Sequence, residues 1–178
     1  MGYGLIEVDK NNVRLLEMGV LRLARQKDHT ERLRLIYSRI EELIRQHRPT
    51  DAAIEAPFFG KNAQSMLKLG RAQGVAIAAA TVNGLPTTEY SPNKVKQSIT
   101  GRGHASKEQV WEVLRRILGL EFAAGESMDA TDALAVALCH HYQQCIPEIL
   151  QPSKKTATKK SKNQGWSEFL AVNPERIG

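Results

Sequence analysis

Residues 49–57 read Pro49-Thr50-Asp51-Ala52-Ala53-Ile54-Glu55-Ala56-Pro57. The run Ala52–Glu55 is short, apolar and closed by an acid, and a helical pattern precedes it. That helix is predicted to start at a cap, Asp28 or Thr30, and to end near His47, before Pro49. Its apolar residues Leu33, Ile36, Ile40, Leu43 and Ile44 recur at helical spacing. A strand of this kind after an amphipathic helix is expected to be buried and parallel to a neighbour.

The pattern continues on both sides. Upstream, Gly2–Val8 and Val13–Leu23 read as two strands joined at the turn cluster Asp9-Lys10-Asn11-Asn12, an antiparallel hairpin. Downstream, Asn62–Val82 reads as a long helix whose second half, from Val75, is almost wholly apolar, so it is central core or a subunit interface. Gly84-Leu85-Pro86 breaks it, and Thr87–Tyr90 reads as a further strand. Ser91-Pro92 has the pattern of a helix start, running to Ile99. Ser106 caps the next helix, with Val110, Val113, Leu114 and Ile117 on one face. Residues 119–125 connect it to a last helix, about Asp129–His141. A hairpin followed by alternating helices and strands predicts an α/β domain with a mixed sheet flanked by helices.

The 178 residues suit one domain, and a quarter of them are charged. No uncharged apolar run approaches the ~20 residues of a membrane span. Glu7, Asp9 and Lys10 interrupt the opening apolar residues, which argues against a secretory signal. Two cysteines, Cys139 and Cys145, fit a reducing cytoplasm rather than a disulfide framework. The net charge is +6, but residues 151–178 hold six Lys/Arg against two Asp/Glu, a net of +4. Basicity alone therefore does not mark the globular part as a nucleic-acid binder. The Lys/Ser/Thr-rich stretch after Pro147 has no apolar period and is expected to be a disordered basic tail, 148–178, outside a domain of residues 1–147.

Glu55 is either a solvated strand-end acid or a ligand at the sheet edge where open α/β sheets place their sites. Asp129 and Asp132, at i and i+3, share one face of the helix start, as capping and first-turn acids or as a pair facing a cleft. Three hard oxygen donors from separate segments suit Mg²⁺ or Mn²⁺, and no Cys/His spacing for zinc is present. His140-His141 reads as the end of a helix, and Cys139 as packing. Phe58 and Phe59 lie beside Gly60-Lys61, as base-stacking rings or core. Lys94, Lys96, Arg102, His104 and Lys107 form either a phosphate-contacting group or a solvated charged face.

Five ordered motifs now stand together: Ile54-Glu55-x-x-Phe58-x-x-Lys61-Asn62; Leu69-Gly70-x-Ala72-x-Gly74-Val75-Ala76; Tyr90-x-Pro92-x-x-Val95-Lys96-Gln97; Gly101-x-Gly103-x-Ala105-x-Lys107-x-x-Val110; and Asp129-Ala130-x-Asp132-Ala133-Leu134-Ala135. Over roughly residues 1–145 the chain resembles the RuvC family of bacterial Holliday junction resolvases. The resemblance implies a ribonuclease-H-like fold, a homodimer, and paired Mg²⁺-dependent nicks in four-way junction DNA. Two ions per site are implied, with Mn²⁺ as a substitute. Glu55, Asp129 and Asp132 match the family's metal ligands. Lys96 and Lys107 match residues at the scissile phosphate, with Lys107 in the catalytic set. Phe58, with Lys61 beside it, matches the segment that meets the bases at the crossover. RuvA and RuvB, the branch-migration proteins, are implied as collaborators.

One departure stands against these matches. The family's first strand ends in Asp-Pro-Gly, whose Asp is the central ligand, and this sequence contains no Asp-Pro-Gly. Met1-Gly2-Tyr3-Gly4 resembles the segment just after it. The expectation is that the first central strand is missing and that Met1 is an internal residue of a longer protein. A junction-binding protein without efficient cleavage is the alternative function.

Overall fold

The structure is a computed structural model and describes residues 1–10, 12–26, 28–57, 62–120 and 128–145. The chain divides into two units, Met1–Ile146 and Pro147–Gly178, and every described residue lies in the first. The tail, Phe58, Lys61 and most of the 119–125 connection fall outside the described residues.

Among the described residues nine elements follow in order: β1 (Gly2–Asp9), β2 (Asn12–Val20), α1 (His29–His47), β3 (Ala52–Glu55), α2 (Ala63–Val82), β4 (Thr87–Tyr90), α3 (Pro92–Thr100), α4 (Lys107–Leu118) and α5 (Met128–Cys145). The α/β class and its mixed strand directions are as expected. The strands form two pairs rather than one continuous sheet: β1 and β2 antiparallel, β3 and β4 parallel. Hydrogen bonds run within each pair, and α5 packs on β1, β2 and β3, so one helix spans both.

Local chemistry explains the element ends. Asp28, rather than Thr30, caps α1 and accepts from the Thr30 and Glu31 amides. Asn62 and Ser91 cap α2 and α3, with Pro92 in the first turn of α3, where its missing N–H costs nothing. Ser106 and Gln109 form a reciprocal capping box at α4. Gly101 and Gly119 end α3 and α4 at φ 75° and 62°, a conformation open to glycine without strain. In the hairpin, the register slips between Leu5 and Ile6, leaving Leu16 of β2 unmatched. β2 ends at Val20, short of the expected Leu23.

Two hydrophobic contacts organise the helices. α1 packs on α2, and Ile36 and Leu43 of α1 are buried. Val95, Ile99, Val110, Leu114, Ala135, Val136, Leu138 and Cys139 form one core between α3, α4 and α5, with Ile6, Val13 and Ala53 of the strands packed against it. Of the predicted α4 face, Ile117 stays exposed. A polar cluster fastens α1 to the hairpin. Arg39 lies over the Tyr3 ring and donates to Tyr3 and Glu17, and His47 Nε2 stands 2.8 Å from Glu17 Oε2. These bonds hold the Glu17 carboxyl below its usual range, the His47 contact foremost.

Leu134 is fully buried in the middle of α5. Leu134→Ala is expected to cost about 2–5 kcal/mol, as for other fully buried leucines. Urea unfolding of the metal-free protein checks this. A loss below about 1 kcal/mol is incompatible with α5 as the central helix.

Candidate active site

Glu55 is the last residue of β3, beside Tyr90 at the end of β4. The Ala56 amide donates to the Tyr90 carbonyl at 2.8 Å, the last bond of the pair before the chain leaves at Pro57. From β4 the chain passes directly through Ser91 into α3, which brings Lys96 to the same edge. The capping box at Ser106 sets the start of α4 and makes Lys107 its first residue. Asp129 and Asp132 lie in the first turns of α5, which begins at Met128.

Packing sets the position of that helix start. Gly2 and Gly4 share one face of β1, as alternate strand residues do. A Cβ at Gly2 would overlap the Asp129 carbonyl and stand 2.9 Å from the Ala130 nitrogen. At Gly4 it would lie 3.1 Å from the Leu134 Cα. The backbone of β1 therefore touches the backbone of α5 directly beneath Asp129. Sequence reading took these glycines only as strand residues. Their signal is Gly-x-Gly inside a strand, which marks close approach of another backbone.

The charges at this edge act on one another. Lys107 Nζ stands 2.5 Å from Asp132 Oδ2, with the two side chains 52% and 34% exposed. Asp132 holds the Lys107 ammonium above its usual range, first through this hydrogen bond, and Glu55 and Asp129 add to it by charge. Glu55 is open to solvent on one side. Partial desolvation of its carboxyl, and then the charge of Asp132, nevertheless push it above the usual carboxylate range, while Lys107 and Lys96 oppose that rise. The structure thus gathers Glu55, Asp132, Lys107 and Lys96, with Asp129 in the field of Lys107. Phe58 and Lys61 lie outside the described residues.

The donor chemistry suits a hard divalent cation in kind: the acids are carboxylates, the charge of Asp132 reaches Glu55, and an ammonium already stands against Asp132. Among the described residues, no three His, Cys, Asp or Glu side chains stand together closely enough to hold one ion. His140 does not merely end the helix. It sits inside α5, with Nδ1 2.9 Å from the Tyr90 hydroxyl, and α5 runs on to Cys145. Among the described residues no helix is long and apolar enough to cross a membrane.

Comparison with known proteins gives a consistent picture. A family model described as "Crossover junction endodeoxyribonuclease RuvC" matches residues 1–140. Proteins of that name are similar at 49% identity: one from Cytophaga hutchinsonii over 177 residues (99% of this chain, 82% of the relative), and one from Porphyromonas gingivalis over 178 residues (99% and 90%). Among solved structures, "T. thermophilus RuvC in complex with Holliday junction substrate" is similar at a TM-score of 0.74 and 37% identity, covering 80% of this chain and 87% of that one. A second Thermus thermophilus RuvC structure is similar at 0.72 and 36%, over the same shares.

Because the Glu55 carboxyl is raised in the folded protein, its ionised form weakens the fold above the raised value, and this cost is gone below the ordinary carboxylate range. Glu55→Gln is therefore expected to raise the Tm of the metal-free protein at pH 7. The gain should vanish as the pH falls through the carboxylate range. Thermal unfolding of both proteins across pH 4–8 checks the sign.

Proposed function

Since the chain belongs to the RuvC family of crossover junction endodeoxyribonucleases, we propose that it resolves four-way Holliday junctions by paired phosphodiester nicks in DNA recombination and repair. The observation that carries this reading is the meeting of Glu55, Asp132, Lys107 and Lys96 at one sheet edge, with Asp129 on the adjoining helix turn. Glu55, Asp129 and Asp132 would hold Mg²⁺, two ions per site, with Mn²⁺ as a substitute. Ions so held would supply a water activated for in-line attack and charge stabilisation at the leaving 3′ oxygen.

The chain's own residues do the rest. The carboxylates would hold such cations from elements anchored in a packed core instead of from a loop. Lys107 and Lys96 direct positive charge at the phosphate to be cut. Phe58 stacks on bases at the crossover and Lys61 contacts the backbone beside it. Residues 1–147 form the nuclease domain, and the basic tail 148–178 adds salt-dependent DNA affinity. The protein works in the cytoplasm, in cooperation with RuvA and RuvB.

Symmetric nicking needs two sites at a fixed separation, so a homodimer is part of the mechanism. Its contact is α2. Leu67, Gly70, Gly74, Ala78 and Val82 follow one another at helical spacing, Leu67 and Val82 are 56% and 74% exposed, and a Cβ at either glycine would meet nothing within 4 Å. That face is apolar, small and open to solvent. Leu67→Asp with Val82→Asp is expected to turn the dimer into monomers in sedimentation and to uncouple the two nicks. A dimer that survives both charges places the contact elsewhere.

Glu55→Gln, Asp129→Asn and Asp132→Asn are each expected to reduce junction cutting at least about 100-fold, while binding to a four-way junction stays within a few-fold in gel shift. Cutting that persists in all three removes these acids from the metal site. The second reading, a junction-binding protein without efficient cleavage, rests on the sequence's having no Asp-Pro-Gly, whose Asp is the family's central ligand. Mg²⁺-dependent cutting of a four-way junction by the unaltered chain decides between the two.

A further inference from the structure

Lys107 is placed against the ordinary preference of its position. It is the first residue of α4, where the helix dipole favours anions and opposes an ammonium. What holds it there lies on another element: its Nζ is 2.5 Å from Asp132 Oδ2 of α5. The charges of Glu55 and Asp129 also act on Lys107, so one ammonium is coupled by charge to all three acids while touching Asp132. Both side chains of the pair remain partly open to solvent, so an ion approaching from outside meets the pair directly.

We propose that Lys107 is an internal counter-ion: it occupies Asp132 in the metal-free protein, exchanges there with the incoming divalent cation, and is thereby released toward the phosphate of the DNA. This rests on the reading of Glu55, Asp129 and Asp132 as metal ligands. It assigns Lys107 two successive partners, an acid before the cation binds and a phosphate afterwards. The cation must displace an ammonium to bind, so the lysine weakens metal binding in the absence of DNA. The phosphate, by taking up the displaced ammonium, restores what the acid gave up. Cation and DNA therefore strengthen each other's binding through one side chain, and linkage makes that coupling reciprocal.

The experiment uses the full chain without DNA, titrated with Mn²⁺ and followed by the electron paramagnetic resonance of free Mn²⁺. Lys107→Met keeps the aliphatic stem and removes the charge, Lys107→Arg keeps the charge, and Lys96→Met removes the other lysine whose charge reaches Glu55. Lys107→Met is expected to bind Mn²⁺ about threefold to fivefold more tightly than the unaltered protein, the scale of a partly exposed ion pair. Lys107→Arg should stay within about twofold of the unaltered protein, and Lys96→Met should tighten binding less than Lys107→Met. Unchanged or weaker binding by Lys107→Met overturns the exchange. Equal tightening by Lys96→Met also overturns it, because the effect would then belong to the general field and not to the pair. If neither the unaltered chain nor Lys107→Met binds Mn²⁺, the metal-site reading itself fails, and this outcome is distinct from a chain that binds the ion without the predicted change.

Discussion

The enclosure of α5 is the constraint on which the rest of the structure depends. Leu134, Leu138 and Cys139 are completely buried, and strands of both pairs as well as α3 and α4 pack around the helix. A helix apolar on so many sides cannot remain at the surface. Its first turns nevertheless carry Asp129 and Asp132, which must reach solvent or a cation. Both demands are met by ending the helix at the sheet edge. The glycines of β1 then let strand and helix backbones touch directly beneath the first acid. The acids are consequently located by core packing, and their position changes only if the core does.

The same packing locates the opposing charges. Lys96 and Lys107 stand on α3 and α4, the two helices that complete the core around α5. Val95 beside Lys96 is buried, as are Ala105 and Val110 on either side of Lys107. Cations and anions at the edge thus belong to one hydrophobic unit. The polar contacts at the far end of α5 fix its rotation as well: Tyr90 to His140, Gln143 to Ser98 and Gln144 to Asp51. Rotation of the helix would break these bonds and turn the acids away from Glu55.

Much of this arrangement is legible in the sequence, and the exceptions share a physical cause. Helix starts are local chemistry, so Asn62, Ser91 and Ser106 mark them directly, and Asp28 or Thr30 narrows to Asp28 once the amides are seen. The strands β3 and β4 follow from short runs between breakers. Contacts between distant segments are the part that the sequence conceals. α5 outruns the expected His141 because its last turn is polar and is held by side chains from α3 and from Asp51, just before β3. The apolar second half of α2 reads equally as core or interface, and Ala79 and Ala80 are buried while Val82 lies open. Pairing of strands into two sheets leaves no mark on either strand's composition. Lys107 and Asp132 are 25 positions apart, and no periodicity relates them. The family motifs named both residues without showing that they touch.

The distribution of charge bears on how such an edge meets a polyanion. Residues 1–150 carry a net of only +2, so long-range attraction from the globular part is weak. Close to the edge, Glu55, Asp129 and Asp132 outnumber Lys96 and Lys107, and a phosphodiester brought there alone is repelled by the excess. Desolvation makes that repulsion costlier, as the raised Glu55 carboxyl already registers. An anion therefore settles at this edge only together with positive charge that neutralises the acids. The five charged side chains, all fixed by one core, make that requirement a property of the fold itself.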